Sequence, residues 1–140
     1  MIYHLTRHEI ADLPVAATAA SRGKELQASE TVAAARRLFG GGETLVVPVL
    51  DGGRYVGSVD RETLGAAASD ETPLGTIATD LVPVARADRR AADALEELDR
   101  HGGRRLVVVA EDGSTYVGIV CLRSDRLRLC VDAAHLEEHA

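Results

Sequence analysis

Near the C-terminal end of the chain, His135 and His139 bracket Leu136-Glu137-Glu138 in the order His-x-x-Glu-His. Some zinc peptidases use this string to set two imidazoles on one helical face. His4 and His8 repeat the i, i+4 spacing near the other end. A catalytic zinc also needs a third protein ligand, buried partners that orient the ligands, and a rigidly held general base. A short terminal helix supplies none of these. The expectation is therefore polar helix faces at His4, His8, His135 and His139, with a metal held by these residues as the alternative. Cys121 and Cys130 are the two cysteines. They are too few for a disulfide framework and fit a reducing cytosol. Cys121 reads as a small buried filler at a strand end, and the nine-residue spacing to Cys130 suggests no metal pair.

Enzyme signatures are otherwise missing from the sequence. There is no Gly-x-Ser-x-Gly elbow, Walker loop or dinucleotide fingerprint, and Gly40-Gly41-Gly42 precedes a strand pattern, so it reads as a helix stop. A non-enzymatic protein is expected. The formal net charge of −6 argues against a nucleic-acid backbone as partner, and 3% aromatic residues leave no stacking platform for single strands. No apolar run approaches a membrane span, and the first residues contain no signal core. A cytoplasmic location follows as the expectation. Lys24 is the one lysine, a bias that suggests GC-rich bacterial coding.

The elements that would position any site are written twice. Leu45–Val59 recurs 61 residues later as Leu106–Val120, with nine of fifteen positions identical. Each copy reads as an apolar strand, an Asp-Gly turn, and a second strand carrying Tyr-Val-Gly. A unit of about 60 residues buries too little surface to stand comfortably alone, so two copies should fold together.

Before the first hairpin, Val32, Ala35, Leu38 and Phe39 recur at helical spacing; before the second, Ala91, Ala94, Leu95 and Leu98 do, with Asp88 as a candidate cap. Leu38 aligns with Leu98 at an offset of 60, which places a one-residue difference in the glycine loop. Strands are expected over 44–50, 54–59, 105–110 and 115–120, with a short extended piece at Leu81–Ala85. Helices should follow at about Arg61–Ala68 and Ser124–Val131. Thr6 and Glu9 form a capping box for a short helix ending before Pro14. The expected organisation is a first repeat at 15–68, a second at 74–131, and helical extensions at 1–14 and 132–140.

This order, strand–helix–strand–strand–helix twice over, resembles a tandem pair of cystathionine-β-synthase (CBS) domains. The likeness is carried by Leu74–Val84, Ala91–Leu98, Arg105–Val109 and Tyr116–Ser124 in the second copy, and by about Lys24 to Leu64 in the first. The resemblance implies an α/β (α+β) fold of two β-α-β-β-α repeats around a pseudo-twofold axis. It also implies a regulatory module that takes an adenosine-type ligand such as AMP, ADP or ATP between the copies, and a homodimer or a regulated protein as partner. Short side chains at Ala33–Ala35 and Ala91–Ala94 would let dimer helices approach closely.

In the family, the stretch after the second hairpin strand runs Gly, two apolar residues, Thr or Ser, two variable residues, Asp. The hydroxyl and the next helix N-terminus meet phosphate, and the carboxylate accepts from the ribose diol. Here Asp60 and Thr63 stand at the hydroxyl and carboxylate positions of the first copy, and Cys121 and Ser124 at those of the second. Asp60 would face phosphate, with a repulsion of about 4 kcal/mol at 4 Å and an effective dielectric near 20. Helix capping is its simpler reading.

The resemblance thus favours a second cleft lined by Thr79, Leu81, Arg105, Val107, Cys121, Arg123 and Ser124, over a first lined by Val47, Asp60 and Thr63. Arg105 and Arg123 would suit a phosphate or carboxylate; paired with Glu96, Glu97 or Asp99 they would be a solvated rim. The alternative to a sensor is a scaffold whose clefts no longer bind nucleotide.

Overall fold

A computed structural model describes residues 1–20, 25–40, 42 and 44–140. Along the chain run β1 (Ile2–Thr6), α1 (Arg7–Ile10), β2 (Leu26–Gln27), α2 (Val32–Phe39), β3 (Val47–Asp51), β4 (Arg54–Val59), α3 (Arg61–Gly65), β5 (Val84–Arg86), α4 (Ala91–His101), β6 (Arg105–Val109), β7 (Tyr116–Leu122), β8 (Arg128–Asp132) and α5 (Ala133–His139). Tight 3-10 turns lie at Val15–Thr18 and Leu74–Thr76. Gly41, inside the expected glycine stop, and Lys24 lie outside the described residues. No helix among the described residues is long and apolar enough to cross a membrane.

Two units share these elements, and their boundaries differ from those of the sequence copies. One unit is Gly23–Leu81; the other joins Met1–Arg22 to Val82–Ala140. The leading segment of each copy has changed places. Val15 and Ala16 donate backbone hydrogen bonds to Arg89 (2.7 Å) and Ala87 (3.1 Å), beside the second copy's helix. Leu74 donates to Glu30 (2.8 Å) beside the first copy's helix, and is fully buried there. Isolated bridges mark the same exchange, Pro14 with Arg90 and Pro73 with Thr31.

These pairings correct the alignment of the copies. Pro14 corresponds to Pro73, Thr31 to Arg90 and Val47 to Leu106, an offset of 59 throughout. The buried helix positions then coincide: Val32 with Ala91, Ala35 with Ala94, Phe39 with Leu98. On the second hairpin strand the offset is 61, since Val59 pairs with Val47 as Val120 pairs with Leu106. The two extra residues lie in the second hairpin turn, not in the glycine loop. Because a strand alternates with period two, a slip of two leaves every side chain on its own face, which is why the ungapped match looked so regular.

The smaller unit is a three-stranded sheet, β2-β3-β4, with β2 parallel to β3 and β3 antiparallel to β4. Its core gathers Val32, Ala35, Phe39, Val47, Val49, Val59, Leu64 and Leu74. The larger unit repeats that plan in β5-β6-β7 and then extends it, giving the order β1-β8-β7-β6-β5. Leu95, Leu98, Leu106, Val108, Val120, Leu122, Leu129 and Val131 lie in its core. Ala35, Ala91 and Ala94 are fully buried inside these cores, whereas Ala33, Ala34 and Ala92 remain partly exposed.

Several expected helices are corrected. Residues 124–131 turn and return as β8. Asp125 accepts from the backbone N–H groups of Leu127 (2.9 Å) and Arg128 (3.2 Å), a side-chain turn that competes with helix nucleation. Leu129 and Val131 then alternate into the core. The extension 1–14 begins as a strand: β1 pairs antiparallel with β8, and only then does the Thr6–Glu9 capping box start α1. The helix α4 starts after Arg90 rather than at Asp88, and α3 stops at Gly65.

Candidate functional site

Register places four residues in one row across the larger sheet. Arg105 of β6 lies opposite Cys121 of β7, Cys121 opposite Cys130 of β8, and Cys130 opposite His4 of β1. Their neighbours Leu106, Val120, Leu122, Leu129 and Val131 all point into the core. By strand alternation the row therefore occupies the other face, together with Val107. Arg123, two residues beyond Cys121, extends the row: its Nη1 lies 3.3 Å from His4 Nε2 and 3.9 Å from Cys130 Sγ.

The row is cationic and partly dry. Arg105 is half-buried, and its Nη1 donates to the carbonyls of Arg104 (3.2 Å) and Leu122 (3.4 Å). Burial draws its pKa below the ordinary guanidinium value, against the pull of Cys121. Burial likewise pushes the Cys121 thiol up, opposed by Arg105 and reinforced by the neighbouring Cys130 sulfur. The acids expected to pair with these arginines are engaged elsewhere: Glu97 with Arg89, and Asp99 with Arg7 (2.7 Å) and Arg126 (2.8 Å). Among the described residues, no ion pair links Arg105 or Arg123 to a carboxylate. The solvated-rim pairing with Glu97 or Asp99 is thereby corrected.

Ser124, expected to sit at a helix N-terminus with Arg123 beside it, is an exposed turn residue leading into β8. That local phosphate site, as the sequence drew it, does not form. Thr79 and Leu81 fall in the smaller unit, where Thr79 exchanges backbone hydrogen bonds with Ser58 (2.9 and 3.0 Å). In the same unit Asp60 caps α3, accepting from the N–H and the hydroxyl of Thr63, both at 2.8 Å. The capping reading is what the geometry shows. Val47 faces the core, opposite Val59, and does not line an open face.

Gly57 and Gly118, which stand where the family's stretch begins with Gly, have packing reasons. A Cβ on Gly118 would stand 2.9 Å from Ala19 Cβ and from His135 Cε1. Gly57 adopts φ +150° with the backbone of Ala78 and Thr79 3.1 Å from where its Cβ would be. The histidines are also redistributed. His4 is on a strand and His8 on α1, so they share no helical face. His135 is fully buried rather than on a polar face, its ring stacked 5.8 Å from that of His139. No group of three metal-ligating side chains stands ready among the described residues.

The cross-strand neighbours Cys121 and Cys130, and the place of His4 beside them, escaped the sequence reading. Alternation through Leu127, Leu129 and Val131 was the available signal, since a strand there brings position 130 back beside 121.

Comparison with known proteins agrees with this architecture. The family model of the CBS domain matches residues 74–124. A Vibrio cholerae protein assigned to acetoin utilization (AcuB) superposes with a TM-score of 0.68 at 24% identity, over 78% of this chain and 84% of that one. The fold is that of a CBS domain pair. The CBS pair of protein MJ0100, in complex with 5′-methylthioadenosine and S-adenosyl-L-methionine, matches with a TM-score of 0.60 at 19% identity, covering 77% and 88% of the two chains. The CBS domain of a bacterial CNNM/CorC-family Mg2+ transporter, in complex with ATP, matches at 0.63 and 20%, covering 82% and 85%. No curated protein matches the sequence. In this CBS fold, the larger sheet carries the cationic row on the face away from its core, beside the fully buried Val107.

Proposed function

We propose that the chain is a non-enzymatic, cytoplasmic regulatory module that binds an adenosine-type ligand bearing a phosphate or other anionic group. The observation that carries this is the half-buried pair Arg105 and Arg123 on one sheet face, with no carboxylate paired to either among the described residues. Guanidinium groups in a partly desolvated setting recover most by meeting an anion with hydrogen-bond acceptors. Structures of the same fold hold ATP or S-adenosyl-L-methionine, which makes the adenosine class the first to try. The ligand would act by binding one conformation better than another, and a second copy of the chain or a regulated protein would read the shift.

The test is a thermal-shift and calorimetric screen with AMP, ADP, ATP, S-adenosylmethionine and adenosine. A ligand at 100 times its dissociation constant adds about 2.7 kcal/mol, a rise of several degrees. R105Q and R123Q should each weaken the phosphate-bearing ligand by roughly tenfold to a hundredfold, the worth of a hydrogen bond to a charged group, while changing adenosine little. A flat response to every compound sinks the reading.

That outcome would support the second reading, a scaffold without nucleotide. Asp60 committed to its own helix cap and Ser124 with no helix behind it favour this reading.

A further inference from the structure

We infer that Cys121 and Cys130 form a dithiol site that exchanges with low-molecular-weight disulfides, closing reversibly into a cross-strand disulfide between β7 and β8. The register is the basis. The two residues are direct partners in an antiparallel ladder. Arg123 N–H donates to Arg128 C=O at 2.8 Å, so 123/128 is a hydrogen-bonded pair. Alternation then makes 121/130 one as well, with Cα atoms about 5.5 Å apart, inside the roughly 4.4–6.8 Å range a disulfide spans. Both side chains lie on the face away from the core, and both are half-buried free thiols. Closure would draw the Cβ atoms, about 5.5 Å apart in a hydrogen-bonded pair, in to the roughly 3.5–4.5 Å that a disulfide spans.

The surroundings divide the labour between the two sulfurs. Arg123 Nη1, 3.9 Å from Cys130 Sγ, sets a cation beside that sulfur that can draw in the carboxylates of an anionic disulfide such as oxidised glutathione. Burial pushes the Cys121 thiol up, which suits the slower, resolving partner. In the first step Cys130 gives up its proton and attacks one sulfur of the small disulfide RSSR. A protein–SR bond forms, and the S–S bond breaks to release RS−, which takes a proton. Cys121 then loses its proton and attacks Cys130 sulfur, expelling the second RS−, which is protonated in turn. Two protein thiols are oxidised to one disulfide, and RSSR is reduced to two RSH. A dication would meet the Arg105 and Arg123 charges in the same row, so exchange suits the row better than metal binding.

The experiment is incubation of the folded, nucleotide-free chain with oxidised glutathione, followed by acid quench, intact mass and peptide mapping. The expected product is a monomer lighter by two hydrogens, with a Cys121–Cys130 cross-link that dithiothreitol reverses. C121S should stop at a glutathione adduct on Cys130, and R123Q should slow the first step severalfold. Adducts that persist on the wild-type chain, bridges only between chains, or a cross-link that forms only in denaturant would each overturn the inference. Because no nucleotide is present, its failure is separate from failure of the ligand reading.

Discussion

The two units begin alike and end differently, and the candidate chemistry lies in the difference. Up to Val59 and Val120 they share a short parallel strand, a helix with equivalent buried positions and a bulged hairpin, and each also holds a 3-10 turn that follows a proline, Leu74–Thr76 in the smaller and Val15–Thr18 in the larger. Then the smaller unit stops its strand: Asp60 turns the chain and caps α3. The larger continues through Cys121 and Leu122, turns at Asp125, and returns as β8, on which β1 closes the sheet. Two of the row's residues, Cys130 and His4, belong to those added strands. Among its described residues the three-stranded unit has no counterpart of them. A repeat supplies the scaffold, and the departure from it supplies the reactive groups.

The largest effect expected from breaking this contrast is at Leu129. It is fully buried in the larger core, so L129A should cost about 2–5 kcal/mol, as truncation of a core leucine does. Urea denaturation checks it. A loss below about 0.5 kcal/mol, typical of a surface site, would mean that residues 124–131 are not a core strand and that the units end alike after all.

A middling effect should separate the two positions that sequence alone treats as equivalent caps. Asp60 accepts two hydrogen bonds from Thr63 ahead of a real helix, so D60A should lose about 1 kcal/mol. Ser124 precedes a turn and is exposed; S124A should stay within about 0.5 kcal/mol of the parent. Equal losses in the two variants, measured by the same unfolding assay, would restore the symmetric picture.

How much of this could be read beforehand follows from what local sequence encodes. The repeat, both long helices, both hairpins and the Thr6–Glu9 box rest on short-range signals: helical spacing, glycine stops, a reciprocal cap. The exchange of leading segments is long-range pairing, and nothing in Val15–Ala20 or Leu74–Ala78 names its partner. Residues 124–131 were misread because Ser124 looks like a cap and Leu127-Arg128-Leu129 suits either period. The tertiary choice was made by Asp125, whose carboxylate holds the turn, and by the free sheet edge that β1 and β8 complete. Of the site, Arg105, Cys121 and Arg123 were legible as a group from the family resemblance. Cys130 and His4 join them only once the register is known. Thr79 and Leu81 are drawn into the other unit by the bridge to Ser58.

The smallest effect concerns what pins that extra hairpin down. Asp99, near the end of α4, holds Arg7 of α1 and Arg126 of the β7–β8 turn, and Arg126 also donates to Gly103 C=O at 3.0 Å. The hydrogen bond from Arg7, then that from Arg126, holds the Asp99 carboxyl below its usual value, against partial desolvation. A carboxyl depressed in the folded state contributes stability that is full above its unfolded pKa of about 3.9 and is lost as pH falls through the lower folded value. The Asp99 side chain is 38% exposed, so solvent screening keeps the contribution to about 1 kcal/mol or less. D99N should therefore be slightly less stable than the parent near neutral pH, and the gap should close as pH drops below about 4. Added salt should narrow it too. If the gap instead persists into acid, the clasp works by packing rather than by charge. The smaller unit has its own cross-element pair, Arg36 with Asp70 at 2.9 Å, but Asp70 is 67% exposed and makes no second ion pair among the described residues. D70N keeps the Asp99 clasp and should therefore retain the acid-dependent fall in stability that D99N loses.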